Sequence, residues 1–322
     1  MSKKLAPIIL FVYNRLSHTQ KTIDALEKNE LALDSELFIY SDGEKKNEDN
    51  EVIEIRKYIR TIKNFKKVYI IERESNYGLA KNIIEGVTEI LKKYGKAIVL
   101  EDDLITSPYF LSYMNQSLDR YSNEKKIWSI NGYMYPLEKT NKVSTFFWRL
   151  PCPWGWATWH DRWALFEKNP DRLINEFSKK DIYRFNIDGI EGDFWKQVVS
   201  NKLEKINTWA VFWYATIFIN NGLCLSPTNS YVINGGFDGT GVHCGVEDNY
   251  YNVQSLDTKP EIIFCEKFEE NKAYIKKLKI FLRNKNYPSG TIIVEKIPKI
   301  LVRIINKLSR QALERNILIK ID

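Results

Sequence analysis

Ala97-Ile98-Val99-Leu100-Glu101-Asp102-Asp103 sets four apolar residues directly against three carboxylates. The apolar part has the length and β-branching of a buried strand, and the acidic part marks its end. Crowding like charges at the end of a buried strand is unfavourable unless something cationic faces them. Mg²⁺ and Mn²⁺ are hard ions that take oxygen ligands, commonly one or two carboxylates with further oxygens from a substrate phosphate. The triplet is therefore a candidate metal and diphosphate site. The alternative is a solvated acidic turn after an ordinary strand.

Upstream of this stretch the sequence alternates strands and helices. Pro7 to Tyr13 is a strand, followed by a helix with Ser17 as N-cap that runs to about Asn29. A second strand, Glu36 to Tyr40, ends at Ser41-Asp42-Gly43, and a polar helix then continues to about Ile62. Lys67 to Ile71 forms a third strand. The helix Leu79 to Tyr94 puts Ile83, Ile84, Val87, Ile90 and Leu91 on one face and leads into the acidic strand. This βαβαβαβ order predicts an α/β fold, a mostly parallel sheet flanked by helices, with ligands beyond the carboxyl ends of its strands.

That topology brings four loops to one edge: Asn14-Arg15, Asp42-Gly43, Asn76-Tyr77-Gly78 and Glu101-Asp102-Asp103. Arg15 suits a phosphate or the face of a base, Asp42 a base or ribose hydrogen bond, and Lys81 a diphosphate reached from a helix start. Each of these also reads as an ordinary surface residue; their shared position is the argument.

At 322 residues the chain accommodates one large or two closely packed domains. We divide it into a half that carries the candidate diphosphate site (1–107), a half with a glycine-rich lid (108–265) and a basic extension (266–322). No apolar run approaches the roughly 20 residues of a membrane span, and Met1-Ser2-Lys3-Lys4 leads into a strand without a cleavage site, so a cytoplasmic location is expected. The four cysteines lack a CxxC pair, which predicts reduced structural thiols and no zinc site. The net charge of +7 is uneven: residues 266–322 hold 14 Lys/Arg against 6 Asp/Glu. The basic character belongs to the tail, which argues against a nucleic-acid-binding core.

All nine tryptophans lie between Trp128 and Trp213, many beside Gly and Pro, as in Pro151-Cys152-Pro153-Trp154-Gly155-Trp156. Sugars present apolar C–H faces and suit aromatic platforms, but most such rings pack in cores. Asn229 to Gly245 holds five glycines in 17 residues, a composition for a lid that approaches a ligand closely. Within it, His243 can complete a metal shell, donate to a phosphate, or serve structure alone. From Lys296 to about Leu308, Ile297, Ile300, Leu301, Ile304, Ile305 and Leu308 share one helical face, with Lys299, Arg303 and Lys307 elsewhere. Such a helix lies on an anionic membrane surface, or packs on its own domain or on another subunit of a homo-oligomer.

Together these motifs resemble the GT-A glycosyltransferases, specifically bacterial family-2-like sugar transferases and, more distantly, the eukaryotic N-acetylglucosaminyltransferase I family. The resemblance rests on Phe11 to Arg15, Asn76 to Asn82, Val99 to Asp103, Trp154 to Trp159 and Gly236 to His243, and covers roughly residues 5–250. It implies a nucleotide-sugar donor, usually a uridine diphosphate sugar, with Mn²⁺ or Mg²⁺ between the acidic motif and the diphosphate. By carry-over, Asp103 is the metal ligand, Glu101 supports it, and Asp102 lies near the ribose. Arg15 and Asp42 would flank the base, and the loop around Asp238 and His243 would close over the donor. The implied activity is transfer of a hexose or N-acetylhexosamine to a glycan or lipid-linked acceptor in surface polysaccharide or lipopolysaccharide synthesis, at the inner face of the cytoplasmic membrane.

The sequence departs from this pattern at Thr208-Trp209-Ala210-Val211, where relatives can carry an Asp after the tryptophan to activate the acceptor hydroxyl. Asp193 is the candidate replacement, with Glu191 and Asp161 behind it, although Asp193 also reads as a helix cap. A sugar nucleotidyltransferase is the second enzyme reading, but it would want glycine after the first strand, where Phe11 to Ser17 has none. A non-catalytic carbohydrate-binding, membrane-associated protein is the third.

Overall fold

A computed structural model describes residues 4–45, 49–138, 143–190, 193–239, 251 and 255–286. The first third follows the expected alternation. It runs β1 (Ile8–Val12), α1 (Leu16–Glu27), β2 (Glu36–Ser41), α2 (Asp49–Ile59), β3 (Lys67–Glu72), α3 (Gly78–Tyr94) and β4 (Lys96–Glu101). Several boundaries differ from expectation by one to three residues. Helix α1 begins before Ser17, with Arg15 at the cap position; its side chain makes no capping bond, and its carbonyl accepts from both Thr19 N–H and Thr19 Oγ1. Helix α2 stops at Ile59 rather than Ile62. Gly95, at φ 79°, ends α3 in the left-handed conformation and donates to the Leu91 carbonyl, which lets β4 start at the next residue.

The middle of the chain continues the same sheet. β5 (Leu104–Thr106), α4 (Phe110–Arg120), β6 (Ile127–Asn131), β7 (Thr145–Trp148) and β8 (Trp156–Trp159) come next. Then follow α5 (His160–Trp163), α6 (Pro170–Glu176), α7 (Lys179–Phe185), α8 (Asp193–Lys202), α9 (Ala210–Ile219), β9 (Leu223–Pro227), β10 (Val232–Asn234) and α10 (Lys272–Asn286). Eight strands pair in the order β3-β2-β1-β4-β8-β6-β9-β7, and β5 pairs with β10 as a separate antiparallel ribbon. Six strands share one direction, and β8 and β7 oppose it.

Helices cover both faces. Alternate residues of one strand enter opposite cores: Ile9 and Phe11 join Ile83, Val87, Phe212 and Leu278, while Ile8, Leu10 and Val12 join Ile23, Ile55, Met114 and Leu118. A strand buried on both sides has to be apolar throughout, which explains the uninterrupted Ile-Ile-Leu-Phe-Val of β1. Seven of the nine tryptophans are core residues, and Trp154 and Trp195 are half-buried. Trp156, Trp163, Trp209 and Trp213 pack together, with centroids 5.3 Å apart for Trp156 and Trp209 and 5.0 Å for Trp163 and Trp213. Among the described residues Cys152, Cys224 and Cys265 are free thiols, and no helix is long and apolar enough to cross a membrane.

Candidate functional site

The parallel strands β1 to β4 end on one edge, and their register fixes what meets there. Val12 pairs with Ser41 and Phe11 with Glu101, so the residues after β1, β2 and β4 emerge side by side. Arg15 Nη2 donates to Asp102 Oδ1 at 2.5 Å and to Asp103 Oδ2 at 2.9 Å. Arg15 Nη1 is buried without a partner. Three adjacent carboxylates thus face one guanidinium. Burial and the neighbouring Asp103 and Asp102 push the Glu101 carboxyl up to about 8. Burial also raises Asp102, to about 6, against the opposing pull of Arg15.

Helix α1 contributes a face that the sequence reading passed over. Thr22 Oγ1 donates to the Asp102 carbonyl at 2.8 Å, and His18 Nε2 lies 3.0 Å from Asp238 Oδ2. Arg15, His18 and Thr22 stand three and four residues apart, the spacing that places side chains on one helical face. That spacing is the signal by which His18 and Thr22 could have been found.

The ribbon of β5 and β10 ties the glycine-rich segment to the acidic motif. Asn234 pairs with Leu104, and Gly235 N–H donates to the Asp103 carbonyl at 2.7 Å. Gly236 N–H bonds Asn234 Oδ1 at 2.7 Å. A Cβ on Gly236 would stand 2.5 Å from Asp103 Oδ2, so glycine is what leaves room beside that carboxylate. Phe237 then packs against half-buried Trp154, centroids 5.6 Å apart, and Trp154 against Tyr133 at 4.5 Å.

Asp42 and Asn76 reach the same edge, where both also bond the protein backbone. Asp42 is buried and accepts from three backbone amides: Gly43 at 2.8 Å, Tyr77 at 2.8 Å and Gly78 at 3.0 Å. A carboxylate has about four acceptor directions, so roughly one is left for a ligand. Asn76 Nδ2 donates to the Gly43 carbonyl at 2.8 Å, and a Cβ on Gly43 would fall 2.2 Å from the Ser75 carbonyl carbon. These contacts lock the loops after β2 and β3 together at the start of α3. Lys81, in the first turn of α3, is exposed, 4.0 Å above the Tyr77 ring and 3.8 Å from Glu85.

Of the acceptor-base candidates, Asp161 is not brought to this edge. β8 is antiparallel to β4 and pairs Trp159 with Lys96, so Asp161 follows β8 at the opposite edge, ion-paired with Lys125 and Arg162 at 2.6 Å each. Asp193 opens α8, exposed and 3.0 Å from Lys196, where Trp195 N–H bonds Asn186 Oδ1 just past the end of α7. Glu191, His243 and the helix expected from Lys296 to Leu308 lie outside the described residues.

Chemically, the acidic edge suits a divalent cation. Its donors are hard carboxylate oxygens, one guanidinium leaves part of their charge uncompensated, and Gly236 keeps the space beside Asp103 open. Among the described residues no group of three His, Cys, Asp or Glu side chains is arranged to hold a metal ion.

The mostly parallel, helix-covered sheet with its acidic carboxyl edge matches a GT-A fold. The chain belongs to glycosyl transferase family 2, whose family model matches residues 8–189. That family is one of glycosyl transferases, which stands against the nucleotidyltransferase reading. One similar solved structure is the mannosyltransferase PcManGT from Pyrobaculum calidifontis in complex with GDP-Man and Mn²⁺: 9% identity over 67% of this chain and 68% of that one, TM-score 0.38. Another is TarS of S. aureus, at 13% identity over 44% of this chain and 23% of that one, TM-score 0.31. The matched region thus spans under a quarter of TarS. No curated protein matches the chain.

Proposed function

We propose that the protein transfers a hexose or N-acetylhexosamine from a UDP-sugar to a glycan or lipid-linked acceptor, with Mn²⁺ or Mg²⁺ at the acidic edge. The observation that carries this reading is the acidic trio Glu101, Asp102 and Asp103 at the carboxyl end of β4, of which Arg15 bonds Asp102 and Asp103. Asp103 would hold the metal, with Glu101 supporting it and Asp102 near the ribose. When bound, the ion would neutralise the negative charge that develops on a departing diphosphate. Arg15 holds the Asp102 and Asp103 carboxylates in place through one nitrogen. Asp42 fixes the backbone of Tyr77 and Gly78, so the first turn of α3 and Lys81 are preset beside the site. The segment of Phe237 and Asp238, tied to α1 through His18, covers the acidic edge from the other side.

We place the reaction in the building of surface polysaccharide or lipopolysaccharide at the inner face of the cytoplasmic membrane. The basic composition of residues 266–322 supports that setting. A thermal-shift panel of nucleotide sugars with and without Mn²⁺ tests the donor half. A UDP-sugar that raises the melting temperature only with Mn²⁺, and loses that effect in Asp103→Ala, is the expected result. A metal-independent shift that survives in Asp103→Ala would sink the assignment.

A further inference from the structure

The edge of the sheet opposite the acidic triplet carries a second charged site. β7 runs antiparallel to β9 and pairs Trp148 with Cys224 near the start of β9, so Arg149 emerges at the far edge from Asp102 and Asp103. Its side chain is only 5% exposed. Arg149 Nη1 bonds both oxygens of Glu270, at 2.9 and 2.8 Å, and Nη2 bonds Asp188 Oδ1 at 3.1 Å, while Nε is buried with no partner.

Helix α10 closes over this arginine. Its apolar face, Tyr274, Ile275, Leu278 and Leu282, is buried, and Tyr274 stacks on Phe146 at 3.8 Å. Lys272, Lys276, Lys279 and Arg283 follow at spacings of four, three and four, which puts them on one helical face. With Arg149, Arg184, Asp188 and Glu270 they line a cleft of about 480 Å³. Six cations therefore meet two carboxylates there, and both carboxylates are already engaged: Glu270 by Arg149, Asp188 by Arg149 and by Lys279 at 3.1 Å. Among the described residues no ion pair neutralises Arg184, Lys272, Lys276 or Arg283.

A concave site with four uncompensated cations gathered from α7 and α10, beside a buried guanidinium, is built for a compact polyvalent anion. We infer that this cleft binds a phosphate-bearing group at the end of the molecule remote from the acidic edge. The group is either a soluble phosphate compound or the headgroup of an anionic lipid; the chemistry recognised is the same. A long nucleic acid does not match, because the cationic face is confined to one short cleft.

The test uses the full chain in EDTA, so that no divalent cation can load the acidic edge. Inorganic pyrophosphate is one probe, read by thermal shift. Vesicles of phosphatidylglycerol in phosphatidylcholine are the other, read by co-sedimentation. Lys276→Glu reverses a charge in the cleft. Lys277→Glu makes the same change one residue along α10, where Lys277 instead contacts Glu138.

A pyrophosphate shift lost in Lys276→Glu and kept in Lys277→Glu supports the site with a soluble ligand. Vesicle binding weakened by on the order of tenfold or more in Lys276→Glu but not in Lys277→Glu supports a lipid headgroup. Absence of binding by either probe, or equal losses in the two variants, overturns the inference. Both variants replace exposed side chains or surface pairs, and a melting temperature in buffer close to the parent's confirms that each is folded.

Discussion

Arg15 meets Asp102 and Asp103 through one nitrogen, Nη2, at 2.5 and 2.9 Å, so a single side chain from the loop after β1 holds two carboxylates after β4. Arg15 is about one-fifth exposed, and Asp102 and Asp103 less. Removing one partner of a largely buried charge cluster is costly, because the other members are left uncompensated. Arg15→Ala should destabilise the protein by about 3 kcal/mol. Mn²⁺ should then recover more stability in the variant than in the parent, since it substitutes for the missing charge. Urea titrations with and without the ion measure both, and equal Mn²⁺ effects would refute the charge argument.

Gly235 and Gly236 separate two kinds of crowding in adjacent positions. A Cβ at Gly236 meets the Asp103 carboxylate at 2.5 Å, whereas at Gly235 it meets only the Asp103 carbonyl oxygen, at 3.3 Å. Gly236→Ala is expected to lower transferase activity by on the order of a hundredfold, as misplacement by about 1 Å can do. Gly235→Ala should stay within about tenfold of the parent, the milder contact needing a shift of only tenths of an ångström. Steady-state rates of the two purified variants decide it.

His18 and Asp238 join α1 to the glycine-rich segment at 3.0 Å. Asp238 is nearly half exposed, so the contact contributes little to global stability. Its predicted effect is on the approach of the segment to the donor. His18→Ala should raise the KM for the nucleotide sugar by roughly three- to tenfold while the melting temperature moves by only a few degrees. An unchanged KM would remove the segment from donor binding.

Asp161 supplies a pH-dependent contrast. Burial alone would raise its carboxyl, but hydrogen bonds from Lys125 and Arg162 hold it below the usual range. A depressed carboxyl stabilises the fold above its unfolded value, near pH 4, and that contribution disappears as pH falls through the folded value. Asp161→Asn should therefore cost under about 1 kcal/mol at neutral pH, since the group is almost half exposed, and nothing once both states are protonated. Its transferase activity should match the parent, because Asp161 stands at the edge away from the acidic triplet. Loss of activity at full stability would return Asp161 to the mechanism.

The sequence by itself determined the doubly covered sheet and its acidic end. Runs such as Ile8 to Val12 and Ala97 to Leu100 are apolar throughout, a composition that only a strand buried on both faces requires. Helical spacing and loop order then placed Arg15, Asp42, Asn76 and Asp103 on one edge, since parallel strands share a direction. Tertiary structure decided the rest, because strand direction beyond β4 and long-range side-chain partners leave no periodic trace. The antiparallel β8 sent Asp161 to the opposite edge, although it follows its strand as Asp103 follows β4. Asp42 reads as a free carboxylate in the sequence, yet folding aims the amides of Gly43, Tyr77 and Gly78 at it and makes it an anchor. His18 and Arg149 acquired their partners from residues more than a hundred positions away, Asp238 and Glu270, and only a closed chain brings such pairs within hydrogen-bonding distance.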